Sequence, residues 1–440
     1  MNIKGFFDTE FKVFSNLDNV RSIPSLVDGL KDSQRKAVYG MMVHGGDKIK
    51  VAQAAGKFAL ATHYAHGETS MADTIVGLAQ DFPGSNNVNL FQPIGQFGSI
   101  LSSESSSHRY IFTKPHINMR LFFKKEDDCI LKYRYEDGDK AEPELFFPIL
   151  PMWILNGSLG IGTGHSVKIL PRDVEKISIL TERLLNGDNM QERTIKRLMK
   201  PSYKGWTGDI VEVEDEEGKF EIHGKIEKVN TTTLKVTELP VGYGVDKFKA
   251  ILVDLMDKGT VKDYDNNSSE NGFDFEIKVP RDVGKKSIDD LKKLFKLVTR
   301  VTENVTLWKP DGRLKRYRSA FDALQDFVEY RKGKFEDRRC KLIELATEDM
   351  RFLNAKKLFI KEWNDLANPG KMNSSDIQAH MSKAGVDDDF IPRLMQLRVS
   401  SLAMDLIKEL ENEIKTKQSY IKELESKTPD SIFIEELNSL

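Results

Sequence analysis

The chain has 440 residues, with 66 Lys/Arg against 68 Asp/Glu for a net charge of −2, and 39% of its residues are hydrophobic. That length exceeds what one hydrophobic core serves and predicts two to four domains. There is no apolar run of about 18 residues to cross a membrane as a helix. The opening MNIKGFFDTEFKVF carries acidic groups where a secretory signal is basic and then apolar, so a cytoplasmic location is expected. Cys129 and Cys340 are the only cysteines, with no CxxC or Cys/His spacing, which excludes a disulfide framework and a structural zinc site.

Charge is unevenly placed. Residues 21–125 hold twelve Lys/Arg against seven Asp/Glu, a balance of +5 that leaves −7 elsewhere, and five of the eight histidines (His44, His63, His66, His108, His116). A basic, His-rich region suits a polyanion. Within it, SLVDGLKDSQRKAVYGMM, from Ser25, predicts a turn at Asp28-Gly29. A helix follows, with Ser33 as N-cap and Ala37, Val38, Met41 and Met42 on one side. VAQAAGKFALATHYAHGETSMADTIVGLAQDF predicts two more helices broken at His66-Gly67. Short helices with a basic face suit a helix-turn-helix DNA reader, and an ordinary helical domain equally well.

From about residue 130 to 165 the pattern is extended and punctuated by Pro and Gly, and residues 205–240 alternate as strands (GDIVEVED, KFEIHGKIEKV, TTLKVTEL), giving a second, α+β domain. Residues 320–362 predict a long charged helix with a stripe of Phe321, Leu324, Val328, Arg331, Phe335, Arg338, Leu342 and Leu345 at alternating spacings of three and four. A second long helix carries Ile407, Leu410, Ile414, Ile421 and Leu424, and NPGKMNSSD and AGVDDDFIP punctuate the stretch between. The expectation is an antiparallel coiled-coil hairpin with a small globule at its tip, the second helix closing the chain.

Three motifs carry chemistry. In SSESSSHRYIFTKPH, residues 102–116, Arg109 and Tyr110 follow a serine run. A phenol is a poor nucleophile at neutral pH unless a base or cations stabilise the charge that develops, and Arg109 is such a cation. A packed aromatic beside a surface charge is the plainer account of a bare Arg-Tyr pair. GSLGIGTGH, residues 157–165, is glycine-rich but lacks the Lys-Ser/Thr of a phosphate loop. Its glycines let backbone approach DNA, with Ile161 either a wedge between base pairs or a core residue in a tight turn. Asp137 and Asp139 in EDGDK read as a solvated hairpin turn and not as a metal pair.

RSIPSLVDGLKDSQRKAVYGM, HYAHGETSMADTIVGLAQDF, NLFQPIGQFGS, SHRYIF, EPELFFPILPMWILNGSLGIGTGHSVKILP and LKVTELPVGYGVDKFK resemble, in that order, the breakage-reunion core of type IIA DNA topoisomerases. The resemblance spans most of the chain. Several blocks are nearer the eukaryotic enzymes than gyrase A, yet the chain is far shorter than the former and is similar to the multi-subunit enzymes of T-even bacteriophages. The fold implied is multidomain α+β: a winged-helix DNA-cleavage domain over 1–170, an α+β tower domain over 171–315, and a coiled coil over 316–440 with a dimerisation gate at about 364–404.

The resemblance makes Tyr110 the nucleophile, Arg109 its companion, Arg35 the arginine on the scissile phosphate and His66 the histidine of the family's HHGE or HPHGD. It gives Lys31, Lys36 and Lys57 to DNA phosphates, Ile161 to intercalation, and Thr69 and Asp73 to a site for quinolone-type poisons. Gln34 stands where gyrase has histidine and Ala65 replaces the first histidine of the pair, so His66 and water are both open as acceptors of the Tyr110 proton, with His63 a third.

The activity implied is ATP-dependent type II topoisomerase chemistry. Both strands break through 5′-phosphotyrosyl bonds, a second duplex passes and the break reseals, so that DNA is relaxed and decatenated. No metal or ATP site is expected in this chain. Mg²⁺ and ATP are assigned to a large partner subunit with toprim and ATPase modules, in a heterotetramer or larger assembly. Homodimer contact is assigned to FIPRLMQLRVSSLAM, residues 390–404, and a DNA-wrapping β-pinwheel is not expected. Two rivals stand beside this: a non-catalytic winged-helix and coiled-coil DNA-organising protein, which has no need of Arg109 beside Tyr110, and a structural coiled-coil scaffold, which explains only residues 320–440.

Overall fold

The computed structural model describes residues 3–213, 216–367, 370, 372–398, 402–403 and 405–440. The chain divides into two units, one of Met1–Lys125, Leu131–Arg331 and Ile434–Leu440, the other of Glu126–Ile130 and Lys332–Phe433.

The first unit opens with α1 (Ile3–Phe6), a π-helical turn Phe7–Phe11 and α2 (Lys12–Ser22), which run on without a break because Phe6, Phe11 and Lys12 all keep right-handed helical dihedrals. Asn19 is the only buried residue of α2, whereas Ile3, Phe6, Phe7, Val13, Phe14, Leu17 and Val20 are exposed. After the Asp28-Gly29 turn comes α3 (Asp32–His44), closed by left-handed Gly45. Its N-cap is Lys31, not Ser33, and the Lys31 N–H donates to Gln34 Oε1 at 2.9 Å, the reach-back half of a capping box. Ala37, Val38 and Met41 are buried, and α3 lies so close to α4 (Val51–Ala61) that a Cβ on Gly40 would stand 2.5 Å from the Phe58 ring. α5 (Glu68–Ala79) begins at the break expected at His66-Gly67 and buries Met71, Ala72, Ile75 and Val76.

A three-stranded antiparallel sheet in the order β1-β3-β2 completes this part, from β1 (Ile49–Lys50), β2 (Phe91–Ile94) and β3 (Phe112–Pro115). α6 (Ile117–Phe122) leads on to the hairpin of β4 (Tyr133–Glu136) and β5 (Asp139–Pro143), whose turn residues Asp137 and Gly138 have φ of 51° and 89°. Positive φ at both positions is what a two-residue hairpin turn demands, which accounts for the Asp-Gly pair without a metal. α7 (Met152–Leu155) buries Trp153, whose indole donates to the Leu26 carbonyl at 2.9 Å, and the hairpin of β6 (Ser158–Gly162) and β7 (His165–Ile169) follows.

The next segment holds α8 (Val174–Leu185), α9 (Glu192–Leu198), β8 (Asp209–Glu212), β9 (Lys219–His223), β10 (Lys225–Lys228), β11 (Thr233–Glu238), α10 (Val245–Asp257), β12 (Asp263–Asn266), β13 (Phe275–Lys278), α11 (Arg281–Gly284), α12 (Ile288–Leu294), β14 (Val298–Thr302), β15 (Val305–Trp308) and β16 (Leu314–Tyr317). The strands expected at 205–240 are present but belong to two sheets, β14-β9-β8 and β10-β11-β13-β12. The second sheet and α10 share a core in which the Phe248 and Phe275 rings meet edge to face at 4.9 Å.

α13 (Ala320–Asp365) runs from the first unit into the second, where α14 (Ser374–Lys383), α15 (Ile391–Leu394) and α16 (Leu406–Ser426) follow. Lys417–Asp349 at 2.6 Å, Lys357–Glu411 at 3.5 Å and Arg339 to the Leu424 carbonyl at 3.4 Å pair α16 antiparallel with α13. Leu353, Phe359, Ile360, Ile377, Met381, Ile391, Leu410 and Ile414 form a common core at the far end. Leu324, Val328, Arg331, Phe335 and Arg338 are buried as the stripe predicts, and the cations in it are matched, Arg331 by the Pro148 carbonyl at 3.0 Å and Arg338 by Asp127 at 3.4 Å. Further on the stripe slips: Leu345 is 40% exposed and Ala346 is buried, the drift of a 3.6-residue helix against a 3.5-residue pattern. α16 is not the last element, contrary to expectation; α17 (Pro429–Leu437) follows, its end belonging to the first unit. Of the segment expected at the dimer contact, 390–404, residues 399–401 and 404 lie outside the described residues. Among the described residues no helix is long and apolar enough to cross a membrane.

Candidate active site

The β6-β7 hairpin lies against α2. Cβ atoms on Gly160 and Gly162 would meet Ser22 O at 1.9 Å and Asn19 Oδ1 at 2.3 Å, so only glycine allows this approach. The contact is sealed by Asn19 Nδ2 donating to Thr163 O at 3.1 Å, Thr163 Oγ1 to Asp18 at 2.7 Å, and Lys31 Nζ to Leu159 O at 2.7 Å. Strand alternation then sends the large residues the other way, leaving Leu159 66% and Ile161 81% exposed. Ile161 is therefore not a core residue. The hairpin also joins strand to strand, not strand to helix, which removes the remaining basis for a nucleotide loop in GSLGIGTGH.

Beside the hairpin is a cleft of about 300 Å³ lined by Arg21, Lys31 and His66 together with Asp18, Asp32, Tyr64, Ser70 and Ile161. Burial lowers the pKa of Lys31 below the ordinary lysine value. Asp18 accepts from Thr163, and Asp32 from Arg134 Nη1 at 2.8 Å, so both carboxylates are already engaged. Among the described residues no group of three or more His, Cys, Asp or Glu is placed to hold a metal ion.

Two residues expected on phosphates are instead in the interior. Arg35 is 5% exposed, its Nε and Nη2 on Asp28 at 2.7 and 3.0 Å and Nη2 also on the Leu30 carbonyl; burial works against its charge, but Asp28 prevails and holds the guanidinium above its ordinary pKa. Lys36 is buried between Glu142 at 2.9 Å and the Thr62 carbonyl at 2.7 Å. Neither side chain is free to reach a phosphate in this conformation. The guanidinium in the cleft is that of Arg21, at the end of α2. It stands first in the RSIP stretch, yet sequence reasoning passed over it for Arg35, which sits in a more obviously basic context. Lys57 is exposed on α4.

Tyr110 stands elsewhere, on the turn that leads into β3. Its N–H closes the turn on Ser107 O at 2.9 Å, and the first two N–H groups of α4 hold that turn, Val51 donating to Ile111 O at 3.0 Å and Ala52 to His108 O at 3.1 Å. Tyr110 is 73% exposed and Arg109 beside it is exposed too. His108 Nε2 reaches Asp73 Oδ1 on α5 at 3.2 Å. The structure thus gathers Lys31, His66 and Ile161 at the cleft and leaves Arg109 and Tyr110 on the turn, while α5 serves both, with Ser70 lining the cleft and Asp73 holding His108. Thr69 and Asp73 are exposed one helical turn apart on α5.

The family model for the A subunit of DNA gyrase/topoisomerase IV matches residues 21–438. The chain belongs to that family. It is 39% identical over 368 residues to DNA topoisomerase 2-alpha of Rattus norvegicus, covering 81% of this chain and 24% of the rat protein. With DNA topoisomerase 2 of Meyerozyma guilliermondii it shares 37% identity over 366 residues, 82% of this chain and 26% of the yeast protein. A crystal structure of the Plasmodium falciparum topoisomerase II DNA-binding, cleavage and re-ligation domain superposes with a TM-score of 0.90 at 31% identity, covering 99% of this chain and 63% of that one. This member of the gyrase A family therefore spans about a quarter of the length of its curated topoisomerase relatives.

Proposed function

We infer that the chain is the DNA breakage-reunion component of an ATP-dependent type II topoisomerase. The observation that supports it best is the exposed Tyr110 beside Arg109, on a turn fastened to the fold by backbone hydrogen bonds, in a chain matched by the gyrase A family over nearly its whole length. In this reading residues 1–170 are a winged-helix cleavage domain, 171–315 a tower, and 316–440 the coiled coil whose tip, at about 364–404, joins two copies. The low-lying hairpin with its outward Ile161 suits a wedge that kinks duplex DNA.

The chemistry is a phosphoryl transfer. The Tyr110 oxygen attacks a scissile phosphorus, the bond from phosphorus to the 3′ oxygen breaks, and that oxygen leaves as a 3′-hydroxyl after gaining a proton. The 5′-phosphotyrosyl link keeps the bond energy, so attack by the 3′-hydroxyl reseals the strand. Arg109, Arg21, Lys31 and Lys57 supply cations for the phosphates. Arg35 and Lys36 act from the interior, holding α3 in place. His66, water and, third, His63 are the candidate acceptors for the phenol proton, and Thr69 and Asp73 form the exposed α5 face on which a poison would anchor.

Mg²⁺, which neutralises charge on the transferring phosphate, has no carboxylate cluster to hold it among the described residues. It is assigned, with ATP, to a partner chain carrying toprim and ATPase modules. On the resemblance of its motifs the chain is read as the medium subunit of a T-even bacteriophage enzyme working in the host cytoplasm. Co-purification from the native source identifies that partner.

The deciding experiment mixes chain, partner, Mg²⁺ and duplex DNA and denatures the complex. Protein should be found bound to 5′ ends, and Tyr110→Phe should abolish the adduct with DNA binding nearly intact. Adducts in that variant would refute the assignment of the nucleophile. Strand passage with ATP by the chain alone would refute the assignment of metal and nucleotide to a partner.

A further inference from the structure

We propose that His108 positions Tyr110, by clamping the turn on which the tyrosine stands to Asp73 of α5. The inference rests on the reading of Tyr110 as nucleophile. The phenol is 73% exposed, and no hydrogen bond to it exists among the described residues, so its place is set by its backbone alone. That backbone is held by Val51 and Ala52, which donate to Ile111 and His108, by the Ser106 N–H on Gln96 O at 3.0 Å before the turn, and by the pairing of Phe112 with Lys50 and Ile94 after it. Among the described residues no side-chain bond from Ser106, Ser107 or Arg109, all exposed, adds to these backbone bonds. His108 is the exception. Its side chain is only 26% exposed and its Nε2 lies 3.2 Å from Asp73 Oδ1, which ties the turn to a second helix.

The backbone bonds fix where the turn sits, and the His108–Asp73 contact adds a side-chain tie two residues from Tyr110. It also joins the tyrosine to the helix that lines the cleft through Ser70. An exposed pair of this kind adds little to global stability. Its effect falls on the angle at which the phenol meets the phosphorus, to which in-line transfer is sensitive.

The test uses the chain assembled with its partner, Mg²⁺ and a duplex whose scissile 3′ oxygen is replaced by sulfur, which traps the cleaved state. Single-turnover cleavage by His108→Ala should slow about tenfold, with the half-saturating DNA concentration and thermal midpoint unchanged. His108→Gln, which keeps a polar N–H donor of similar reach toward Asp73, should recover most of the rate. Asp73→Ala should match His108→Ala, and the double variant should be no slower than either single one. Hydrogen exchange of the Tyr110 amide should quicken in His108→Ala. Parental cleavage by His108→Ala, losses that multiply in the double variant, or a rate that falls only with the thermal midpoint would each overturn the clamp. Tyr110→Phe in the same assay separates the two readings. Loss of adduct there with normal cleavage by His108→Ala removes the clamp alone, and adduct formed by Tyr110→Phe removes the nucleophile.

Discussion

Arg35 and Asp28 form a bidentate ion pair inside the first unit, Nε to Oδ2 at 2.7 Å and Nη2 to Oδ1 at 3.0 Å, while Asp28 also accepts from the backbone N–H of Leu30 and Phe146. The carboxylate thus pins the start of α3 to the chain leading into α7. Removing the guanidinium strands a buried charge, which costs about 3–5 kcal/mol. Arg35→Ala should therefore lower the denaturant midpoint steeply. Arg21→Ala should leave it in place and slow cleavage about a hundredfold. Equal effects of the two on both measurements would contradict the division between interior and cleft.

Gly160 tests the seat of the hairpin. An alanine Cβ would have to displace the Ser22 carbonyl, 1.9 Å away. Overpacking of this kind costs about 1–3 kcal/mol. Gly160→Ala should lower the thermal midpoint and also reduce DNA bending read by fluorescence transfer, although Ile161 is intact. Ile161→Ala should reduce bending with an unchanged midpoint, because its side chain already lies in solvent.

Lys31 should give DNA binding an alkaline edge. Burial disfavours its ammonium, so the proton leaves below the ordinary lysine value of 10.5. The cation is complete below that lowered pKa and lost as pH rises through it, so affinity should fall before ordinary lysines titrate. Lys31→Arg should remove the alkaline loss. Lys31→Gln should reduce the slope of log affinity against log salt by about one. A pH profile identical in parent and Lys31→Arg would mean that Lys31 touches no phosphate.

Local signals carried much of the fold. The Asp28-Gly29 and Asp137-Gly138 turns, the break at His66-Gly67 and the long helices were legible because each follows from a few adjacent residues. What depended on distant partners was not. Lys36 looks like a phosphate contact until Glu142, 106 residues on, is brought against it. Ser33 was the better capping residue by type, but the N-cap is Lys31, whose N–H donates to Gln34. The stripe of α13 was readable to Arg338 and then drifted, since spacings of three and four do not keep step with an α-helix indefinitely. Tyr110 and Arg109 are assigned through resemblance alone, and what the structure adds is that both are exposed. The contact of His108 with Asp73 joins segments whose pairing no spacing announces.

The seven exposed apolar residues from Ile3 to Val20 give the purified chain an adhesive edge. They stand at positions 3, 6, 7, 13, 14, 17 and 20 of one continuous helix, where spacings of three, four and seven link them into a strip instead of scattered points. Wet apolar surface of that size is driven together more strongly by sulfate and less by urea. The chain by itself should bind hydrophobic resin, elute late, and cloud on salting out at concentrations where Phe14→Ser/Leu17→Ser stays clear. Handling conditions, as much as chemistry, will decide whether an assay of the isolated chain counts single molecules or clusters.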